Sequence, residues 1–181
     1  MKPIHPTNLP PNTHTVNSLI ITEDTRALID FLTEVFGAVE DKNALAYSDS
    51  DGKIFNSSVT IGDTSMIIFD RKDGWRHMPS LLQVYVTDIE ATLARAVARG
   101  ATVTTEPTDF YGGKLARFVD PQNNLWWLFE LGEYDAANWE NSNGIYQNDD
   151  VESDTTWKTD EDADPDMRYI HDSLVDTLKK L

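Results

Sequence analysis

One order of elements is written twice along this chain, and that duplication limits its fold more than any other feature. In the first pass, Thr15–Thr22 reads as a strand and Asp24 caps a helix from about Thr25 to Phe36. Ala27, Leu28, Phe31, Leu32 and Val35 give that helix an apolar stripe, and Gly37 stands where a left-handed cap belongs. Strands at Ala44–Ser48 and Ile54–Ile61 are joined through the hairpin signal Asp49-Ser-Asp-Gly52, and Ser65–Phe69 follows the Gly62-Asp63 turn. The second pass opens with a strand over Leu81–Thr87. Thr87 and Glu90 have capping-box spacing for a helix that ends at Gly100, with Ile89, Leu93, Ala96 and Val97 on its buried side. Three strands follow, at Ala101–Thr105, Leu115–Val119 and Leu125–Glu130. Ile21-Thr22 and Val86-Thr87 each lead into a helix ending in Gly-Ala, at Gly37-Ala38 and Gly100-Ala101. The spacing predicts an α+β fold made of two paired β-α-β-β-β modules, over residues 14–75 and 80–131.

The last strand carries the densest chemistry. Asp120-Pro-Gln-Asn-Asn124 is a turn signal, because Pro presets φ and Asn tolerates left-handed geometry. Leu125 to Phe129 is too short for an amphipathic helix and rich in aromatics, so it reads as a strand. Alternation puts Leu125, Trp127 and Phe129 on one face and Trp126 and Leu128 on the other. Bulky groups on both faces require cover on both, and one cover can be a ligand.

Outside residues 14–131 the pattern changes. Residues 1–13, rich in Pro and Asn, are expected to form an extended arm. Residues 132–181 hold 14 acidic and 4 basic side chains, a charge of −10, leaving −6 for the rest of a chain whose total is −16. So acidic a surface repels phosphate backbones, so no nucleic-acid partner is expected. No apolar run approaches membrane-spanning length and no secretory leader is visible, so no membrane partner is expected. The chain contains no cysteine, and a cytoplasmic location follows as the expectation. Trp139, Tyr146 and Trp157 stud the extension, more aromatics than a plainly disordered tail would hold. Asp164-Pro165 then opens a terminal helix over 165–181, whose Met167, Ile170, Leu174, Leu178 and Leu181 form one narrow seam. That seam is expected to dock either on the domain or on a partner subunit, and a homodimer is the expected assembly.

The paired modules, the Gly-Ala after each helix, and the ensemble Val-Tyr-Val-Thr-Asp88…Arg99-Gly-Ala101…Glu-Pro-Thr-Asp109…Tyr111-Gly…Asp120-Pro121…Trp126 resemble the vicinal oxygen chelate superfamily. This is the glyoxalase/bleomycin-resistance/extradiol-dioxygenase group, and the likeness is greatest to its PhnB-like branch. The resemblance implies an open, curved mixed sheet whose concave face holds a metal or a small ligand. Metal-dependent members take ligands from the first and last strand of each module, which here puts Asn17, Ile67, Leu81 and Trp127 at those positions. None is an imidazole, thiolate or carboxylate donor, so no metal and no cofactor are expected. His5, His14, His77 and His171 have no ligand spacing, and Asp160-x-Asp162-x-Asp164 lacks the Gly and the Glu of a calcium loop.

Strand alternation offers a lining for the concave face from Asn17, Leu19, Ile67, Phe69, Leu81, Gln83, Tyr85, Leu125, Trp127 and Phe129. The candidate ligand-binding residues are Asn17, Phe69, Gln83, Tyr85, Tyr111, Lys114, Trp127 and Phe129. Phe110-Tyr111-Gly112-Gly113 has the glycines for a mobile lid, and Lys114 stands where the PhnB-like branch has Arg, which keeps charge and loses the bidentate fork. An aromatic, apolar face with a few polar groups suits a small molecule of unknown identity. Filled core is the competing reading for Trp127 and Phe129, and a satisfied amide or a solvated ammonium for Gln83, Asn17 and Lys114. No catalytic residue is singled out. Two other readings stay open: a lyase or isomerase using other residues, and a regulatory protein acting through the acidic extension.

Overall fold

The computed structural model describes residue 9, residues 14–132 and residues 164–181. The expected arm, apart from Leu9, and the aromatic-studded stretch 133–163 lie outside the described residues. Each module supplies four strands and one helix. The first comprises β1 (Ser18–Thr22), α1 (Thr25–Phe36), β2 (Val39–Tyr47), β3 (Ile54–Ile61) and β4 (Thr64–Asp70). The second comprises β5 (Leu81–Tyr85), α2 (Ile89–Ala98), β6 (Thr102–Phe110), β7 (Gly113–Val119) and β8 (Leu125–Glu130). A last helix, α3 (Pro165–Leu178), follows. Hydrogen bonding gives two four-stranded mixed sheets of the same order, β1-β4-β3-β2 and β5-β8-β7-β6. In each, the first strand runs parallel to the last and the other pairs are antiparallel. The element order and the duplication match the sequence reading, and the fold is α+β.

The helices start and stop for reasons visible in the chain. Asp24 accepts from the Ala27 amide, and Gly37 closes α1 at φ 69°, where a residue with a Cβ is strained. Asp88, rather than Thr87, caps α2: its carboxylate accepts from Ala91 N at 2.8 Å. The capping-box spacing was thus one residue out of phase, because Thr87 still belongs to the chain leaving β5. The buried sides follow the expected stripes with two exchanges. Ile29 is buried where Ala27 is exposed, and Val97 faces solvent.

Both helices share one core. Ile20, Val59, Met66 and Ile68 from the first sheet meet Phe118, Trp126 and Leu128 from the second around Leu28, Phe31, Leu32 and Val35 of α1. Phe36 lies 5.0 Å from the Trp126 ring, and Phe31 lies 6.0 Å from Phe118, so α1 packs on the second module as well as on its own. Arg95 of α2 donates to Val35 O at 3.0 Å, and Gln122 accepts from Thr22 Oγ1 at 2.9 Å, which ties the modules at two further points. No described helix is long and apolar enough to cross a membrane.

The Asp120–Asn124 turn is a polar knot beneath this core. The buried Asp120 carboxylate accepts from Gln122 N, Asn124 N, Asn124 Nδ2 and Trp126 Nε1, the last at 2.8 Å. Asn124 Oδ1 in turn receives Ser80 N at 3.1 Å, which sets the start of β5 beside β8. Burial pushes the Asp120 carboxyl above its ordinary range, and the hydrogen bonds from Trp126, Asn124 and Gln122 pull it only partly back.

Candidate functional site

In β5 and β8 every second residue turns away from α1 and α2. Register pairing assembles these residues into rows across the outer face of the second sheet. One row is Gln83, Trp127, Arg117 and Thr105; the next is Tyr85, Phe129, Leu115 and Thr108. The aromatic groups touch along the face. Trp127 and Phe129 stack at 6.0 Å and 14°, Tyr85 lies 5.7 Å from Phe129, and Phe110 meets Phe129 edge-on at 5.2 Å. Tyr85 is 63% exposed, Gln83 is exposed, and Trp127 and Phe129 are half-buried.

Arg117 is the residue that sequence reasoning missed. Its guanidinium is buried, lies 3.9 Å above the Trp127 ring, and donates to Thr105 Oγ1 and to the Ile170 carbonyl, the latter at 2.7 Å. It pairs with no carboxylate among the described residues, and desolvation lowers its pKa to about 10. Arg117 Nε and Trp127 Nε1 are both buried donors without an acceptor. The signal was present in the chain: alternation along Gly113–Val119 puts Leu115 and Arg117 on one face, and a cation there needs a cover.

That cover is α3. Ile170 is buried against the sheet, Thr105 Oγ1 and Ser173 Oγ are 2.8 Å apart, and the Glu106 amide donates to Tyr169 Oη at 2.9 Å. The terminal helix therefore lies on β6 of its own chain. The contact stripe is Ile170, Ser173 and Thr177 rather than the five-residue apolar seam, for Leu178 is 52% exposed. Small hydroxyl residues let the helix lie close on a threonine-rich strand.

Of the remaining candidates only Tyr111 reaches the edge of this face, where its ring meets Phe110 edge-on at 4.6 Å. Lys114 pairs in register with Glu130 and reaches Glu90 at 2.6 Å, on the side of the sheet that carries α2. Tyr111 is 76% exposed on a two-residue hairpin turn with positive φ at Tyr111 and Gly112. Phe110 and Gly113 pair across that turn, and a Cβ on Gly113 would strike the Glu130 carbonyl. The expected lid is thus a tight turn pressed on the end of β8. It borders a cavity of about 470 Å³ shared with Phe110, Glu130 and Met167. Asn17 and Phe69 belong to the first module. Asn17 Nδ2 donates to His14 O, and Phe69 meets Trp75 edge-on beside a cavity of about 420 Å³.

The positions where the superfamily's metal-dependent members place ligands do not suit a cation. Asn17 is spent on the backbone of His14 and Ile67 and Leu81 carry no donor atoms. Trp127 lies beneath a guanidinium whose charge repels a divalent ion. Among the described residues Asp88, Glu90 and Glu130 bring carboxylate oxygens within 4.8 Å of one another. Each already serves the start of α2: Asp88 caps it, Glu130 accepts from Ile89 N at 2.7 Å, and Glu90 pairs with Lys114.

Two β-α-β-β-β modules around a common core, with an aromatic outer face at the β5–β8 pair, define a duplicated α+β fold. The chain belongs to the Glyoxalase/Bleomycin resistance protein/Dioxygenase superfamily, whose family model matches residues 13–128. An uncharacterised protein of Mycobacterium tuberculosis is 27% identical over 60% of this chain and 69% of its own length. A glyoxalase/bleomycin resistance protein/dioxygenase family enzyme from Burkholderia phytofirmans superposes with a TM-score of 0.52 at 21% identity, over 64% of this chain and 96% of that one. A PhnB protein from Bacillus cereus, described as a putative 3-demethylubiquinone-9 3-methyltransferase, superposes at 0.52 with 13% identity, over 65% and 99%. At those identities the two structures speak for the fold alone. The family match ends before α3.

Proposed function

We propose that this protein binds a planar, ring-bearing small molecule on the outer face of the second sheet, and does so without a metal. The observation that carries this is the open aromatic surface of Tyr85, Phe129 and Trp127, with the Gln83 amide beside it. Stacking on such faces contributes about 0.5–1.5 kcal/mol per ring pair beyond the area buried, and a neighbouring amide orients the ligand. The donor-poor set Asn17, Ile67, Leu81 and Trp127 supports the metal-free part of the reading. Asn17, Phe69 and Lys114 lie away from the aromatic row, whereas Tyr111 meets Phe110 at its end, so the ligand-binding set is read as Gln83, Tyr85, Tyr111, Trp127 and Phe129. A homodimer in the cytoplasm completes the proposal. Leu19 and Leu81, each 55% exposed on the edge strands β1 and β5, give two copies apolar surface to bury.

The test is a titration of the full chain with anionic, neutral and cationic aromatic compounds, read by tryptophan fluorescence and paired with elemental analysis of unstripped protein. Saturable binding that Trp127→Ala weakens about tenfold or more is the expected result. An equivalent of bound transition metal, or silence across all three compounds, contradicts it.

A further inference from the structure

α1 and α3 hold to the sheets very differently. α1 buries six of its twelve residues, all but Thr25 in the common core. α3, with fourteen residues, fully buries only Ile170 and Thr177, and three hydrogen bonds tie it to β6 and β7. An isolated helix of that length is marginal in water, so a shallowly docked one belongs to the part of a structure that opens first. Beneath it sits a buried cation whose donors are incompletely met. Arg117 is 1% exposed, pairs with no carboxylate among the described residues, and leaves Nε unbonded next to the unbonded Trp127 Nε1. Guanidinium and indole are donor-only groups. What they lack is acceptors: Arg117 finds two, Thr105 Oγ1 and the Ile170 carbonyl, both at one Nη, and Trp127 Nε1 finds none.

We propose that α3 is a displaceable cover and that Arg117, with the Trp127 ring beneath it, is the subsite for the carboxylate of an aromatic ligand. The Ile170 carbonyl holds the place of one carboxylate oxygen until the ligand displaces the helix. A carboxylate accepts bidentately from a guanidinium and neutralises it, which a single neutral carbonyl does not. The ring of the same ligand extends along Trp127 and Phe129. The acidic surface of the chain opposes this at long range, yet at physiological salt exposed charges are screened over about 8 Å, whereas contact with a buried guanidinium is not. This inference rests on the aromatic-face reading above and adds to it the ligand's charge and the movement of α3.

The experiment uses the full chain with benzoate, benzamide and benzyltrimethylammonium, read by calorimetry and by hydrogen–deuterium exchange of residues 165–178. Benzoate is expected to bind most tightly and to speed exchange across α3. Ile170→Ala, which loosens the cover, is expected to tighten benzoate about tenfold, because apparent affinity scales with the open fraction. Arg117→Gln removes the preference for benzoate over benzamide; should that variant not fold, the wild-type and Ile170→Ala arms decide alone. Unchanged or slowed α3 exchange on benzoate binding, or unchanged affinity in Ile170→Ala, overturns the cover. If benzamide or the cation binds as well as benzoate, the carboxylate subsite fails while the aromatic-face reading stands. If none of the three binds, both fall together.

Discussion

At the scale of single residues, Asp120 carries more of the structure than any other polar side chain. Removing its carboxylate strands the buried Trp126 Nε1 and the Asn124 amide at once. Asp120→Ala is therefore expected to cost about 3 kcal/mol in urea unfolding, since each orphaned buried group costs roughly 1–3 kcal/mol. Its titration has a definite sign. The folded carboxyl holds its proton more tightly than the unfolded one, so the contribution is greatest below the ordinary value of 3.8 and is lost as pH rises through the folded value. The stability of the native chain minus that of Asp120→Asn, which has no proton to lose, should fall as pH rises through that interval; a rise would mean that the hydrogen bonds outweigh burial. Asp120 and its turn were legible, because Asp-Pro-x-Asn-Asn specifies a turn locally. For Arg117 alternation gave the face but not the cover, which is Ile170, 53 residues away, and no local pattern reports a contact at that separation.

At the scale of elements, boundaries drifted where neighbours, not local chemistry, decide them. β2 starts at Val39, five residues before its expected start, because pairing with β3 extends over Glu40 and Asp41, which no apolar pattern marks. β6 likewise runs on to Phe110 across Pro107, held by β7. The α2 cap gives a direct check. Asp88→Ala is expected to lower stability by about 1 kcal/mol and Thr87→Ala to leave it nearly unchanged, in thermal or urea unfolding. Equal losses would return the cap to Thr87. Lys114, a candidate beside the Phe110–Gly113 loop, pairs in register with Glu130 on the side of the sheet that carries α2 and reaches Glu90.

At the scale of the molecule, the duplication was readable because each module repeats its own local signals, and a shared core of two helices and two sheets follows from it. Which surface a second copy covers was not readable, since the exposed apolar groups of β1 and β5 acquire meaning only once both strands are seen as sheet edges. Leu81→Glu, which sets a carboxylate on the β5 edge, is expected to shift the full chain from dimer to monomer in light scattering while leaving its circular dichroism unchanged. An unmoved mass would place the interface elsewhere.

The aromatic outer face is tested most directly by nuclear magnetic resonance of the full chain carrying ¹⁵N-labelled tryptophan, titrated with ring-bearing ligands. Trp126 and Trp127 are adjacent in sequence and face opposite ways, the first bonded to Asp120 in the core and the second beneath Arg117. The expected result is a saturable shift of the Trp127 indole N–H with the Trp126 resonance almost still. Shifts centred on Trp75, or none at Trp127 for any ligand up to millimolar concentration, would contradict it.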